Sequence, residues 1–284
     1  MVLLTNCTFD GMVYDVERFM EELLAIKPDL IFLWDEAWFA FARFHPTYRR
    51  RTAMHAAARL RDRFRSKEYR AEYAKFRHEF SDKDWQDEER LVATRLLPDP
   101  ELARVRVYAT QSTHKTLTAL RQGSMIHIYD QDFKDKAEEA FHEAYMTHTS
   151  TSPNYQILAS LDVGRRQVEL EGYELVQRQV DLAMELRERV KSHPLIQKYF
   201  RFLTMTDLIP EEYRPSGVES YYSLDKGWSR MEEAWRTDEF VLDPTRLTLS
   251  IGCSGIDGDT FKNKHLMDKY GIQPTRPRAI PCCS

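Results

Sequence analysis

The order and patterning of the apolar segments predict an α/β protein with a mostly parallel sheet flanked by helices. Three observations carry this. The apolar runs Val2–Leu4 and Leu30–Trp34 bracket a stretch with helical spacing, which is the β-α-β unit of a parallel sheet. Leu30–Trp34 is continuously apolar and of strand length, as suits a parallel strand buried on both faces. Arg104–Ala109 alternates polar and apolar residues, reads as a strand, and breaks into the polar stretch Thr110–Lys115.

Taken in order, Thr5–Gly11 reads as a polar turn after the first strand, and Asp15 as the cap of the next helix. Phe19, Leu23, Leu24 and Ile26 supply that helix's apolar positions, and Pro28-Asp29 ends it. Asp35-Glu36-Ala37 stands at the carboxyl end of the second strand. The aromatic-rich stretch 38–46 closes on Pro46. Residues 49–100 read as a charged, exposed helical insertion: 53–80 is alanine-rich and glycine-free, basic in its first half, and followed by an acidic block at 82–89. Pro98-Asp99-Pro100 marks a turn before the strand at 104–110, and a further strand covers 124–129. Helices are expected over 133–145, over 154–160 and over 165–191. In the last of these Leu170, Leu175, Val180, Leu182 and Leu186 form the expected buried stripe. Trp228 and Trp235 fall in a short helical region, and 246–251 alternates as a half-exposed strand. Asp259 is expected to cap a helix that Gly271 stops. Residues 276–284 read as a ragged tail.

The bulk properties exclude several classes. A formal net charge of -4 and a pI of about 6.2 argue against a dedicated nucleic-acid binder, and the acidic block weakens the pull of the basic helix on phosphates. No apolar run approaches the ~20 residues that span a membrane. The amino terminus lacks the features of a secretory signal. Cys7, Cys253, Cys282 and Cys283 form neither a metal-spaced set nor a disulfide framework, so a reducing cytoplasm is the expected compartment.

Ligands of open α/β sheets bind outside the carboxyl ends of the strands. There Asp35 and the 112–115 cluster converge, bringing an acid, hydroxyls, a histidine and a lysine to one rim. Taken singly, Asp35 also suits a helix cap, His114 a structural histidine, and the hydroxyls at 149–152 a capping box. Together they suit pyridoxal phosphate chemistry. A lysine amine forms a Schiff base with the cofactor aldehyde, a carboxylate keeps the pyridine nitrogen protonated, and hydroxyls with main-chain N–H groups bind the phosphate.

At these residues the sequence resembles a known family. Thr5–Gly11, Trp34-Asp35-Glu36-Ala37-Trp38 with Phe44-His45-Pro46, Ala109–Lys115 and His148–Pro153 together look like the bacterial ornithine/lysine/arginine decarboxylases. The likeness is good over the first 165 residues and looser to Arg276. It implies the aspartate-aminotransferase fold (fold type I), present in part, with an α+β segment toward the carboxyl terminus. It also implies that residues 1–165 form part of the cofactor-binding major domain, with the insertion at 49–100, and that 166–284 form a linking helix and part of a small domain.

Carried over residue by residue, the resemblance makes Lys115 the Schiff-base lysine and pairs Asp35 with the pyridine nitrogen. It places Ala37 along the ring face and Trp38 beside the pocket. It sets Ser112 and His114 on the phosphate, with His114 or Lys115 reprotonating Cα. Thr151 and Ser152 match residues that reach a neighbouring subunit's phosphate, which implies a homodimer or higher oligomer with shared sites. The implied activity is decarboxylation of a basic amino acid (lysine, arginine or ornithine), with no nucleic-acid or membrane partner. The family's phosphate-binding turn and ring-stacking histidine, and its substrate-selecting acidic residues, have no counterpart here, so the sequence reads as a piece of a longer decarboxylase. The alternatives are a catalytically incompetent relative acting as an interaction scaffold, and an aminotransferase on the same fold.

Overall fold

A computed structural model describes residues 1–222 and 227–274; the tail expected at 276–284, with Cys282 and Cys283, lies outside them. The sheet is built from β1 (Val2–Thr5), β3 (Ile31–Asp35), β4 (Arg106–Gln111) and β5 (Met125–Asp130), in the order β1-β3-β4-β5. β1, β3 and β4 are parallel and β5 is antiparallel to β4. The register aligns Thr5, Asp35 and Thr110, so the carboxyl ends of the three parallel strands share one rim. The α/β reading is borne out.

The sheet's two faces differ. Phe32, Trp34, Val107 and Ala109 are fully buried on one face, where Val2 and Leu4 join them. Burying each large side chain contributes about 2–3 kcal/mol. On the other face Leu3 is 64% exposed, and Ile31 and Leu33 are half-buried. The expectation that 30–34 is buried on both faces therefore needs correction. Helices of the described residues cover one face of the sheet, and burial alternates along β3.

Two helices cover the buried face. α1 (Val16–Ile26) is capped by Asp15, whose carboxylate accepts from Arg18 N, as expected. It buries Val16, Met20 and Leu24, while Ile26 is exposed. A short 3-10 turn (Ala40–Phe44) and α2 (Pro46–Arg49) then lead to α3 (Ala53–Arg65), which packs on α1 and β4. Ala53, Ala56, Ala57 and Leu60 are fully buried in the same cluster as Phe32 and Trp34.

This corrects the reading of 49–100 as an exposed insertion. The alanines that suggested a solvated helix are small because the helix lies close against the sheet. Only α4 (Lys67–Glu79) and α5 (Glu88–Ala93) are largely solvated. They are anchored by Tyr69 against Phe64, by Phe76 stacked on Phe80 and by Phe80 edge-on to Trp85. Glu21 is buried on α1 and ion-paired to Arg63 at 2.8 Å and Arg95 at 2.7 Å.

After β4 the chain makes one helical turn, α6 (Thr113–Thr116), before β5. α7 (Glu138–His148) follows a π-helical turn over Phe133–Ala137. α8 (Tyr155–Ser192) is one continuous helix of 38 residues, capped by Asn154, which corrects the expectation of two helices.

The stripe α8 buries is also not the expected one. Leu170, Leu175, Leu182 and Leu186 are exposed. The buried positions are Gly164, Val168, Gly172, Val176, Val180, Ala183 and Met184. The cause is close approach. A Cβ at Gly164 would stand 2.1 Å from the Thr118 carbonyl oxygen, and one at Gly172 would stand 2.8 Å from Phe44 Cβ.

A second core joins Val176, Val180 and Met184 of α8 to Phe39, Tyr48, Met205, Trp235 and Val241. Here β2 (Met12–Tyr14) pairs antiparallel with β7 (Phe240–Leu242). β6 (Arg201–Phe202) pairs with β8 (Leu249–Ser250), a shorter strand than 246–251 predicts. α9 (Met205–Leu208) and α10 (Ser229–Thr237) complete this half, the latter carrying Trp235 as expected. Arg51, 1% exposed, donates to the carbonyls of Trp235, Asp238 and Glu239 and closes the end of α10. Near the end of the described residues, Asp257 rather than Asp259 is the cap, accepting from Thr260 N, and Gly271 stops the helix at φ +67 as predicted.

Candidate active site

Lys115 reaches the rim because β4 ends in a turn. Ser112 takes the N-cap position of α6 without spending its hydroxyl on a capping bond, and its carbonyl accepts from Lys115 N at 3.0 Å. Lys115 is exposed, makes no ion pair among the described residues, and sets its Nζ 5.1 Å from the centre of the Trp38 indole. Arg246 lies 5.2 Å from the same ring and donates from Nη2 to the Trp38 carbonyl at 3.3 Å. Its stem packs over Gly11, which leaves no room there for a Cβ. Lys115 and Arg246 line a cleft of about 570 Å³ together with Phe41, Thr116, Gln167 and Gly172.

Asp35 stands on the same rim, opposite Thr110 in the ladder, and its carboxylate accepts from Ala37 N at 2.9 Å. Glu36 N donates to Thr110 O at 2.9 Å, which ties the end of β3 to the end of β4. Asp35 does not line the cleft below Trp38. His114 is half-buried, with Nδ1 3.0 Å from Gly123 O. A carbonyl only accepts, so Nδ1 carries the proton and Nε2 is the nitrogen left for a ligand. Thr151 and Ser152 are exposed between α7 and α8, and the structure does not bring them to the Lys115 cleft. Lys115 and Trp38 are thus in contact, Asp35, Ala37, Ser112 and His114 follow from the ends of the same two neighbouring strands, and of all the expected residues Lys115 alone lines the cleft.

Two features escape the sequence reading. The first is a pair of threonine hydroxyls on the lysine's own turn. Thr113 Oγ1 and Thr116 Oγ1 are buried and have no hydrogen-bond partner among the described residues. A buried hydroxyl left unpaired costs about 1–3 kcal/mol, which a ligand's acceptor would recover. Two threonines flanking a histidine-lysine pair were the available signal.

The second is a buried polar chain beneath the rim. Glu36, 1% exposed, accepts from Ala53 N at 2.7 Å and Asn6 Nδ2 at 3.0 Å through Oε1, and from Gln111 Nε2 at 2.9 Å through Oε2. Gln111 Oε1 in turn lies 3.0 Å from His127 Nε2 on β5. Burial pushes the Glu36 carboxyl up to about 7, against the three donors, which favour its charged form. No sequence pattern distinguishes this buried carboxylate from its neighbour Asp35.

Among the described residues no cluster of histidine, cysteine and carboxylate side chains could hold a metal ion, and no helix is long and apolar enough to cross a membrane. The residues present do suit pyridoxal phosphate. A free amine, a carboxylate on the neighbouring strand end, an unspent serine hydroxyl, two orphaned threonine hydroxyls and a free imidazole nitrogen match the donor set that the cofactor needs.

Comparison with known proteins identifies the family. The chain matches the family described as Orn/Lys/Arg decarboxylase, major domain, over residues 1–64 and 92–271, which leaves all of α4 and most of α5 outside the match. It is 33% identical over 188 residues to the lysine decarboxylase LdcA of Pseudomonas aeruginosa, a match covering 66% of this chain and 19% of that protein. It is 31% identical over 193 residues to the constitutive lysine decarboxylase of Escherichia coli, covering 66% and 20%. The chain thus spans about a fifth of the length of the curated relatives it matches. The solved structure of lysine decarboxylase A from Pseudomonas aeruginosa superimposes with a TM-score of 0.56 at 26% identity, covering 96% of this chain and 32% of that one. On the extent of the family match, this chain belongs to the Orn/Lys/Arg decarboxylases and carries part of their major domain.

Proposed function

We propose that this chain supplies the lysine-bearing half of a pyridoxal phosphate site for decarboxylating a basic amino acid to the corresponding amine and carbon dioxide. The observation that carries the reading is Lys115, an unpaired amine at the carboxyl end of a parallel-sheet strand, held against Trp38 above a cleft. When bound, pyridoxal phosphate supplies an aldehyde for the amine and an aromatic ring that accepts the electrons released as carbon dioxide leaves.

The chain's own residues divide the remaining work. Lys115 would hold the cofactor through its amine. Asp35 holds a proton at the ring nitrogen, and Ala37 and Trp38 close one side of the ring against water. Ser112 binds phosphate oxygens, supported by the Thr113 and Thr116 hydroxyls. His114, fixed by its Nδ1 to Gly123, keeps Nε2 for the phosphate or for returning a proton to Cα. Thr151 and Ser152, exposed and away from the cleft, serve the site of a second subunit in a homo-oligomer. The family's name spans ornithine, lysine and arginine, and the substrate is one of these.

The test is absorbance. Adding pyridoxal phosphate should produce a band at ~420 nm from the imine, and Lys115→Ala should abolish it. Carbon dioxide and a diamine or agmatine-type product support decarboxylation, whereas a keto acid would point to transamination. A wild-type chain with no band would overturn the cofactor assignment.

A further inference from the structure

We infer that Glu36 is the positioning residue of this site, and that Gln111 relays the protonation state of Glu36 to His127. The positioning of Asp35 and Lys115 rests on the function proposed above; the relay does not.

The geometry supports this in three steps. First, Glu36 joins the turn after β1 through Asn6, the end of β3 through its own backbone, the amino terminus of α3 through Ala53 N, and the last residue of β4 through Gln111. Asp35 immediately precedes Glu36, and Gln111 lies four residues before Lys115. One side chain therefore sets the spacing of the two strand ends that carry the reactive pair.

Second, only one of the three donors can reverse. Ala53 N–H is main chain. Asn6 Nδ2 is shared between Glu36 Oε1 at 3.0 Å and the Arg51 carbonyl at 3.3 Å, so turning its amide would set oxygen against that carbonyl. Gln111 has no such restraint, because its other end faces His127 Nε2, which can donate or accept.

Third, the hydrogen-bond pattern then has two complete states. With Glu36 ionised, Gln111 donates to Oε2 and accepts from His127 Nε2–H. With a proton from solvent on Oε2, the Gln111 amide turns over. It accepts that O–H and donates to His127 Nε2, and the imidazole proton passes through water to Nδ1. The titratable groups facing Glu36 are Asp35 on its own strand, Cys7 on the turn after β1, and His127 beyond Gln111; no guanidinium or ammonium pairs with it among the described residues. Burial also lowers the His127 imidazole, which favours the neutral ring through the tautomer exchange.

The test is nitrogen NMR of the full chain labelled in histidine. A carboxyl titrating at about 7 is about nine-tenths ionised at pH 8 and about one-tenth at pH 6, so the Nε2–H population of His127 should swing about ninefold between them. In Glu36→Gln, whose amide mimics the protonated carboxyl in shape and donors, Nε2 should carry a lone pair throughout that range. In Gln111→Met, which leaves the bonds of Glu36 to Asn6 and Ala53 intact, the swing should vanish. A His127 Nε2–H that persists unchanged in wild type and in Glu36→Gln would overturn the relay.

Positioning is read separately, by hydrogen-exchange protection of amides 111–117. Glu36→Ala, which removes the bonds to Asn6, Ala53 and Gln111, should lose at pH 8 the protection that Glu36→Gln keeps, and unchanged protection in Glu36→Ala would overturn the positioning role. Borohydride trapping of pyridoxal phosphate on Lys115 forms the third arm. No trapping in wild type, with the His127 swing present, would overturn the proposed function and leave the relay standing.

Discussion

Replacing Gly164 with alanine should destabilise this protein, although the same change in an exposed helix stabilises it. The added Cβ would sit 2.1 Å from the Thr118 carbonyl oxygen, and relief to an ordinary carbon-oxygen contact needs about 1.2 Å of movement. Alanine in a helix is favoured over glycine by about 1 kcal/mol. Overpacking of a tight contact costs about 1–3 kcal/mol, and a backbone oxygen that cannot rotate aside puts this site near the upper figure. The net loss is about 2 kcal/mol, which for a chain of 284 residues lowers the melting temperature by about 3 °C.

The displaced atom matters as much as the energy. Thr118 lies three residues after Lys115, and the same loop is tied to α8 through Leu120 N donating to Ser160 Oγ at 3.0 Å. On the proposed function, Gly164→Ala should therefore also weaken the absorbance band formed with added pyridoxal phosphate. Gly172→Ala, meeting the Phe44 side chain at 2.8 Å, should cost less, because a side chain can yield. The assay is thermal melting followed by circular dichroism on all three chains. A Gly164→Ala variant that melts higher than wild type would refute the close contact between α8 and the loop.

Other outcomes follow from the buried charges. Asp132 is held at about 2 by its bond to Arg104, with Lys136 adding to the effect. Its folded value lies below the unfolded one, so its stabilisation is present above about pH 4 and is lost as pH falls toward 2; in Asp132→Asn this part of the acid unfolding limb should disappear from a pH titration of stability. Arg63→Met should leave Glu21, buried on α1, with only the half-exposed Arg95, and cost about 3 kcal/mol by urea denaturation, because a buried carboxylate loses its better-buried partner. Arg95→Met should cost less, since the Arg95 side chain is 49% exposed and Arg63 remains. Equal losses for the two would show that Glu21 does not lean on Arg63.

Much of the candidate site was legible in the sequence because its chemistry is local. Strand, turn, serine, histidine and lysine are contiguous from Arg106 to Lys115, and the parallel register alone carries Asp35 to the same rim. Glu36 was not legible. It and Asp35 are adjacent carboxylates in one strand end, and only the packing of Asn6, Ala53 and Gln111 around one of them makes it the buried acid. The alanine-rich helix α3 and the glycines of α8 were missed for a related reason. Small residues carry a weak apolar signal, yet they mark the closest approaches, whereas the leucines that suggested a core on α8 face outward.

The sequence by itself determined the alternation of strands and helices, the strand ends that carry Asp35 and Lys115, and the family to which the motifs belong, because periodicity and contiguous motifs are written along the chain. Tertiary structure alone decided which face of each element is buried, which of two neighbouring acids is enclosed, and that Arg246 shares the Trp38 ring with Lys115. These depend on distances between residues far apart in sequence, and no local pattern encodes such a distance.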